Sequence, residues 1–348
     1  MNRMPLANGR KKSPVKYSEV AQFFSLTDYR NNYFTSDDPN KIIEFYKGFK
    51  NRDQLIKWMK ERPKGVATVH EFGGNKEIVV VIPTSDINGK YAKECREEIF
   101  SGFHLIFVES GEIPDAYFNY AHNCNVGIKK AMEYNPKWVV VSNDDMEKKD
   151  DPVELQRQLS QIDHTKISYV FTSRSKYHSI YFSINEYRFL YWVIFSKINS
   201  QKRDFFYIQR KFDLTYGLVA NVPSEGNKIL QKLKYFILNY ILTKVVVDKI
   251  QVGASFIIVS GNLLKSAKAS MFNGTLFDET FVNAHEDIDL SMRMLLGQLN
   301  ISIIDYKIGD LVGSSIGYNY LRQLRTIAGD VYFFVKHSNL LGGYHELS

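Results

Sequence analysis

Cysteine is scarce in this sequence, since the 348 residues include only Cys95 and Cys124. Two cysteines cannot build the dense disulfide framework of small secreted domains, and no CxxC pair is present to bind zinc. A chain of about 300 residues buries roughly 75% of the surface that its unfolded form exposes. We therefore expect a protein of a reducing compartment, stabilised by a large hydrophobic core.

Long apolar runs are also missing. The nearest candidate, residues 235–247, is interrupted by Lys244 and is shorter than the roughly 20 residues that cross a bilayer. Residues 1–12 carry basic side chains without an apolar segment, which disfavours a secretory signal. We expect a cytoplasmic protein, with peripheral contact to a membrane surface through residues 177–249 as an additional hypothesis.

The sequence has no long block of basic residues, so we expect neither a nucleic-acid-binding tail nor a nucleic-acid partner. Its 45 Lys and Arg exceed its 38 Asp and Glu, which gives a formal net charge of +7. This modest excess is compatible with phosphorylated small molecules and anionic membrane surfaces. The phosphate-binding motif GxxxxGKS/T and the catalytic motifs GxSxG and HExxH are absent as well.

What the sequence does contain is a series of short β-branched runs. They predict strands at residues 78–82, 104–108, 138–141, 167–171, 253–259 and 301–304. Helical patterns separate the first three, and strands that alternate with helices predict a parallel sheet with right-handed crossovers. The composition and this order indicate an α/β fold. No GxGxxG follows the first strand, which disfavours an ordinary dinucleotide-binding fold.

The regions outside this alternating part differ in character. Residues 1–75 predict an N-terminal extension that contains one helix, at residues 41–60. Residues 177–249 are rich in aromatic and basic side chains and predict a helical insertion. Its helices either pack against the sheet or form an interfacial helix or a site for a lipid-linked acceptor. Residues 320–337 predict a further helix, before a tail at residues 338–348.

Polar side chains follow three of the predicted strands. Thr84 follows the first strand, Glu109 follows the second, and Asp144 and Asp145 follow the third. In parallel sheets, ligands bind outside the carboxyl ends of the strands. Adjacent carboxylates repel each other unless a cation offsets their charge, and hard oxygen ligands suit Mg²⁺ or Mn²⁺. The alternative is a solvated turn, because Asn and Asp favour turns.

A second acidic group, within residues 285–289, begins a later predicted helix. Acids are favoured in a first helical turn by the helix dipole, so the pattern alone does not require a site. Asp289 and Arg293 also have the spacing of an ordinary pair on a helix surface. Taken together, the two acidic groups suggest a joint role, in which one holds a metal-bound diphosphate and the other supplies a base.

The order of these motifs resembles the inverting glycosyltransferases of family 2, which have the GT-A fold. The motifs that carry the resemblance are Ile82-Pro83-Thr84, Val108-Glu109-Ser110-Gly111, Asn125-Val126-Gly127-Ile128, Ser142-Asn143-Asp144-Asp145, Gly253-Ala254-Ser255, and Glu286-Asp287 with Arg293. The second half is most similar to the rhamnosyltransferase-like branch. The resemblance implies a GT-A domain over residues 76–337, with a Rossmann-like, mostly parallel central sheet flanked by helices and an insertion at residues 177–249.

The resemblance also implies a role for each matching residue. Asp287 would be the catalytic base, Glu286 would orient the acceptor, and Asp145 with Asn143 would bind Mg²⁺ or Mn²⁺. The implied nucleotide-sugar-binding residues are Pro83, Thr84, Ser85, Glu109, Asn125, Asp144, Gly253 and Ala254. Two positions depart from the family: Asn143 stands where the metal motif begins with Asp, and residues 310–315 lack the His that the branch often carries.

The reaction implied is transfer of a sugar, with inversion, from a UDP- or dTDP-sugar to a hydroxyl of a glycan, lipid-linked or protein acceptor. Two alternatives stay open. A nucleotidyltransferase would also place acids at strand ends, but it would consume a nucleoside triphosphate and release diphosphate. A catalytically inactive sugar-nucleotide-binding or membrane-surface protein would bind such ligands without turnover.

Overall fold

The computed structural model describes residues 36–111, 117–172, 178–184, 189–190, 193–194, 200–214, 216–220, 236, 243–250, 255–266, 275–282, 284–311 and 320–338. The helices within them are α1 (Pro39–Gly48), α2 (Arg52–Glu61), α3 (Lys90–Glu94), α4 (Tyr120–Ala131), α5 (Pro152–Ser160), α6 (Ser200–Lys211), α7 (Gly261–Lys265), α8 (Glu286–Leu296) and α9 (Tyr320–Lys336). The strands are β1 (Ala67–Phe72), β2 (Asn75–Thr84), β3 (Phe103–Ser110), β4 (Trp138–Ser142), β5 (Met146–Lys148), β6 (Tyr169–Thr172), β7 (His178–Ile184), β8 (Tyr216–Ala220), β9 (Thr243–Ile250), β10 (Phe256–Ser260), β11 (Ile301–Ile304) and β12 (Ile308–Asp310).

The largest sheet in the described residues has seven strands, in the order β1-β3-β2-β4-β10-β6-β11. β2 pairs in parallel with β3 and β4, and β6 pairs in parallel with β11. β1 and β10 run antiparallel to their neighbours, so five strands point one way and two the other. The predicted α/β fold with a mostly parallel central sheet is thereby confirmed. The sequence pattern did not indicate the reversal of β10, because a β-branched run carries no information about strand direction.

Helices cover both faces of this sheet. Successive strand residues point to opposite faces, and here both sets are apolar, as expected of strands buried on two sides. Val81 and Val141 belong to a buried cluster with residues of α4 and α8. Val80 and Val140 belong to a second cluster, with residues of α3 and α5. The carboxyl ends of the central strands are therefore held rigidly between two layers of helices.

The N-terminal helical region contains two helices where we predicted one. Asp38 caps α1 by accepting the N–H of Asn40 at 2.9 Å. Phe49 then takes an extended conformation, and the side chain of Asn51 accepts the N–H of Gln54 at 3.0 Å to cap α2. The apolar spacing continues across the break, which is why a single helix over residues 41–60 was the wrong prediction.

The two N-terminal helices share a hydrophobic cluster with α6, α8 and α9. Tyr46 lies at its centre: its hydroxyl donates to the carbonyl of Leu324 at 2.8 Å and accepts the N–H of Ala328 at 3.1 Å. The helix predicted at residues 320–337 is thus present, as α9, and it lies against the part of the chain that we predicted to be an extension. β1 also comes from that part and extends the central sheet.

Where it is described, the predicted helical insertion contains both a helix, α6, and a second sheet of three strands. β7 pairs antiparallel with β8 and with β9, and α6 lies between β7 and β8 in the chain. The prediction of helices across residues 177–249 is wrong at β9, whose β-branched run favours a strand. Residues 221–235 and 237–242 lie outside the described part. No helix of the described residues is long and apolar enough to cross a membrane.

Candidate active site

The ends of β2, β3 and β4 meet at one edge of the central sheet, as parallel pairing requires. Thr84 lies beside Glu109 in the register of β2 and β3. The backbone N–H of Asn143, directly after β4, donates to the carbonyl of Ser255 at 2.9 Å. The antiparallel strand β10 therefore begins at the edge where its neighbours end. The predicted polar residues of the three strand ends lie together at this edge.

Asp144 is held by Thr84. The Thr84 hydroxyl donates to Oδ2 of Asp144 at 2.7 Å. Burial raises the pKa of the Asp144 carboxyl, the bond from Thr84 opposes that rise, and the negative charge of Asp145 adds to it. The arrangement favours a partner that brings positive charge or hydrogen-bond donors to Asp144.

Glu109 fixes the loop that follows β2. Its Oε1 accepts the N–H of Ile87 at 3.0 Å, and its Oε2 lies 2.9 Å from Nε2 of His70 on β1. Ser85 is exposed in this loop, whereas Pro83 is buried within β2. Glu109 therefore holds the loop that carries Ser85 at Ile87, two residues after Ser85.

Asp145 lies beside a carboxyl group that our sequence analysis missed. Asp145 is 8% exposed, and its carbonyl accepts the N–H of Leu311 at 3.1 Å. Asp310 ends β12; burial raises its pKa, a hydrogen bond from Ser255 opposes the rise, and the charge of Asp145 adds to it. The sequence signal for Asp310 was weak because β12 is only three residues long. We call Thr84, Glu109, Asp144, Asp145 and Asp310 the strand-end cluster.

The strand-end cluster suits a metal that is bound together with a ligand. In the described part of the chain, no group of three or more His, Cys, Asp or Glu side chains could hold a metal ion. Mg²⁺ is usually bound by one or two carboxylates plus substrate phosphates. Asp145 and Asp310 provide that donor chemistry, with the amide of Asn143 nearby in sequence. The residues fit Mg²⁺ or Mn²⁺ bound with a diphosphate, and they do not form a closed protein cage.

The second acidic group consists of Glu286 and Asp287, which begin α8 and which we call the helix-start pair. His285 precedes them in the left-handed conformation, with φ of 69°. Glu286 is 8% exposed, and its Oε2 is buried without a hydrogen-bond partner. Burial, followed by the charge of Asp287, raises the pKa of Glu286 to about 7. Asp287 is less buried, and its Oδ1 accepts the N–H of Ile288 at 2.8 Å.

The helix-start pair lies at the same edge of the sheet as the strand-end cluster. α8 leads into β11, whose first residue Ile301 pairs with Tyr169, the first residue of β6. β6 points the same way as β4, so the start of β11 lies at the edge of the sheet opposite the carboxyl ends of these strands. α8 therefore ends near that opposite edge and begins near the carboxyl ends. The pKa of Tyr120, the first residue of α4, supports this position. Burial is the largest cause that raises this pKa, and the negative charges of Glu286 and Asp287 make smaller contributions. The starts of α4 and α8 are therefore neighbours.

Neither a protein-family model nor a curated protein matches this chain.

Asn125, another predicted ligand-binding residue, is engaged by other groups of the protein. Asn125 lies on α4, where its amide donates to the carbonyl of Phe277 at 2.9 Å and to Glu279 at 3.0 Å. Its Oδ1 accepts the N–H of Phe277 at 3.1 Å. Asn125 thus fastens the loop at residues 275–282 to α4, and we assign it a structural role. Gly253 and Ala254 lie outside the described residues.

Asp289 is a central buried residue, and the prediction of a surface pair with Arg293 is wrong. Asp289 has no exposed surface, and it lies 2.8 Å from Nε of Arg293, 2.8 Å from Nζ of Lys336 and 2.9 Å from Nε2 of His337. The last two residues belong to α9 and its end. The spacing of residues 289 and 293 is the same for exposed and buried pairs, so the sequence alone did not distinguish them.

A second contact between α8 and α9 lies directly before the helix-start pair. Nε2 of His285 is 2.8 Å from Oδ1 of Asp330, and both side chains are largely buried. Burial lowers the pKa of His285, but the charge and hydrogen bond of Asp330 outweigh it, and the net pKa is raised. The helix-start pair is thus held from behind by α9, a part of the chain to which the sequence analysis assigned no function.

Proposed function

We propose that this chain is an inverting glycosyltransferase that uses a nucleoside diphosphate sugar. The observation that carries the proposal is the position of two acidic groups, the strand-end cluster and the helix-start pair, at one edge of an α/β sheet. Ligands of such sheets bind outside the carboxyl ends of the strands. One group has the chemistry to hold a metal-bound diphosphate, and the other has a carboxylate suited to proton transfer.

On the donor side, Asp145 and Asp310 are the residues that would hold Mg²⁺ or Mn²⁺, with Asn143 beside them. The ion, when bound, neutralises negative charge on the leaving diphosphate. Asp144, held by Thr84, and the loop fixed by Glu109 would position the nucleoside. We retain a UDP- or dTDP-sugar as the donor.

On the acceptor side, the neighbouring carboxyl groups of Glu286 and Asp287 have different roles. Glu286 is the more buried of the two, and its pKa of about 7 leaves much of it protonated at neutral pH. A protonated Glu286 can donate a hydrogen bond and orient the acceptor. Asp287 takes the proton of the acceptor hydroxyl as that oxygen bonds to the anomeric carbon. The bond from that carbon to the diphosphate oxygen breaks, and the nucleoside diphosphate leaves from the opposite face.

A ligand-binding experiment tests the donor class. Thermal unfolding of the full chain is measured with a panel of UDP- and dTDP-sugars, with and without Mn²⁺. A ligand that binds the folded state alone raises its stability, so we expect the transition temperature to rise with the correct donor, and more with Mn²⁺ present. A panel that leaves the transition unchanged under both conditions contradicts the proposal. Release of diphosphate from a nucleoside triphosphate would instead identify a nucleotidyltransferase.

Asp287→Asn tests the base. The amide cannot accept the acceptor proton, and general-base assistance contributes about 10²–10⁴-fold, so turnover falls by that order while donor binding persists. Asp53→Asn, at an exposed position on α2, is the matched control and keeps full turnover. The measurements are initial rates with saturating substrates and calorimetric titration of the donor. Full turnover in the Asp287 variant would show that the base lies elsewhere.

A further inference from the structure

Arg62, directly after α2, is a buried cation for which the described residues provide no counter-ion. The residue is 3% exposed. Its Nε, Nη1 and Nη2 atoms are all buried, and none has a hydrogen-bond partner among the residues that the structure describes. A guanidinium stays charged at any physiological pH, and it presents five N–H donors. Leaving such a group unpaired away from water is unfavourable, so the site is incomplete without an acceptor.

Lys64 adds a second cation two residues further along the chain. Burial, together with the positive charge of Arg62, lowers the pKa of Lys64 to about 8. The ammonium group is therefore mostly charged at neutral pH. Its Nζ donates to the backbone carbonyl of Glu279 at 2.9 Å, which is a neutral acceptor. The charges of Lys64 and Arg62 thus influence each other. Lys64 donates to a neutral carbonyl, and Arg62 has no hydrogen-bond partner among the described residues.

The carboxylates nearest to Lys64 are engaged by other groups. Glu279 lies 3.0 Å from Nδ1 of His122 and accepts from Asn125 at 3.0 Å. Asp278 accepts from Lys336 at 2.7 Å and from the hydroxyl of Tyr332 at 2.8 Å. Neither carboxylate makes a hydrogen bond with the Arg62 guanidinium.

These cations lie at the edge of the sheet where the strand-end cluster and the helix-start pair are found. β1 begins at Ala67, which pairs with Ser110 at the carboxyl end of β3. The N–H of Gly65 donates to the carbonyl of Tyr117 at 2.8 Å, so the segment before β1 lies against the approach to α4. Lys64 reaches the loop at residues 275–282, which precedes α8 in the chain.

We propose that Arg62 and Lys64 form a binding subsite for a phosphoryl group. The guanidinium fork matches the oxygens of a phosphate in a bidentate arrangement, and two cations match its charge of about −1.5 to −2 at neutral pH better than that of a carboxylate. The two residues come from a segment that our sequence analysis assigned to an extension without function. This inference does not rest on the proposed glycosyl transfer, because it follows from the unpaired charge alone.

Titration with inorganic phosphate tests the subsite. Thermal unfolding of the full chain is followed as inorganic phosphate, or acetate at equal ionic strength, replaces chloride. We expect phosphate to raise the transition temperature of the natural chain by a few degrees and acetate to have no such effect. Arg62→Met removes the charge but keeps a flexible apolar side chain, and it should abolish the shift. Stabilisation by acetate rather than phosphate would overturn the assignment to a phosphoryl group.

Further variants separate the subsite from general effects of phosphate. Phosphate also stabilises proteins by exclusion from their surface, so Arg52→Met, at an exposed position, must keep the shift. In chloride alone, Arg62→Met should unfold at or above the temperature of the natural chain, because an uncompensated buried charge is gone. Asp145→Ala should keep the phosphate shift while it loses any shift from a nucleoside diphosphate, which distinguishes this inference from the proposed function.

Three further results would overturn the proposal. If Arg62→Met retains the phosphate shift, the ion binds elsewhere or acts nonspecifically. If Arg62→Met fails to fold, Lys64→Met decides, since it should weaken the shift several-fold while it leaves the guanidinium in place. An unchanged shift in Lys64→Met, or no heat of binding when the natural chain is titrated with phosphate, excludes the subsite.

Discussion

Glu286 combines burial, a neighbouring charge and an unpartnered oxygen in one side chain. Its folded-state pKa of about 7 lies above the ordinary value of 4.5. Between these values the folded protein keeps a proton that the unfolded chain has released, so stability falls as the pH rises through this range. A shift of this size corresponds to about 3 kcal/mol at most. The pH dependence of the free energy of unfolding is therefore sensitive to the environment of the helix-start pair.

We predict that Glu286→Gln gains stability relative to the natural chain as the pH rises from 5 to 8. The amide has nearly the shape of the protonated acid and cannot ionise, so the cost of the buried charge disappears. Urea unfolding at both pH values measures the difference in the free energy of unfolding. Glu98→Gln, at an exposed position, should show no such trend. A difference for Glu286→Gln that is the same at both pH values would contradict a buried, proton-retaining Glu286.

Some features of individual residues can be predicted from the sequence, and others cannot. Thr84 and Asp144 were found because polar residues after a buried strand are conspicuous, and they lie in contact. Arg62 gave no signal, since nothing in the local sequence distinguishes a buried arginine from an exposed one. Asp289 was misplaced for the same reason: its burial comes from α9, which the helical spacing of residues 289 and 293 does not report.

At the level of elements, the close approach of α4 to the sheet depends on Gly127. A Cβ atom at this position would lie 2.3 Å from Cγ1 of Val81 and 2.9 Å from Cγ2 of Val108, both in the buried face of the sheet. These side chains lie in a close-packed layer and have little freedom to move. The glycine therefore sets the distance between α4 and the strands that carry the strand-end cluster.

Gly127→Ala should destabilise the protein by roughly 1–3 kcal/mol, despite the better helix propensity of alanine, because the added methyl overpacks the core. Gly73→Ala is the control, since a Cβ there meets nothing within 4 Å. Chemical denaturation measures both variants. A Gly127 variant as stable as the natural chain would mean that α4 can shift outward without loss. Reduced donor binding is the functional consequence expected of the same displacement.

Elements with local signals were predicted well, and those that depend on distant pairing were not. The runs at β2, β3 and β4 are β-branched and lie between turn residues, so their positions followed from sequence. The direction of β10 and the formation of a sheet by β7, β8 and β9 depend on which strands pair with each other. The local sequence pattern does not indicate this pairing. The prediction of a helical insertion missed β9, although the valines of β9 favour a strand.

At the scale of the whole molecule, α9 connects the N-terminal helices to the candidate site. Tyr46 ties α1 to α9, and Asp330 ties α9 to His285, the residue before the helix-start pair. Asp289 ties α8 to the last turn of α9. The segments that the sequence placed outside the alternating α/β part thus contact the helix that carries the proposed base. Their packing predicts that damage to α9 affects turnover as well as stability.

Asp289→Asn tests this connection. The substitution removes the negative charge that faces Arg293, Lys336 and His337. Lys336 keeps its ion pair with Asp278, whereas the buried Arg293 loses its ion pair, and breaking a buried pair typically costs about 3–5 kcal/mol. We expect a large loss in the free energy of unfolding, with faster hydrogen exchange in both α8 and α9. Asp53→Asn, which is exposed, should change neither.

The pH dependence of stability in Asp289→Asn provides a second, independent test of this connection. Burial opposes ionisation of Asp289, but His337, Arg293 and Lys336 together lower its pKa below the ordinary value. A carboxyl group with a lowered pKa in the folded state stabilises the fold at pH values above its ordinary pKa, and this stabilisation is lost as the pH falls. The difference in the free energy of unfolding between the natural chain and Asp289→Asn should therefore become smaller in acid. A loss of stability that is confined to α8, or that does not narrow in acid, would mean that Asp289 does not join the two helices electrostatically.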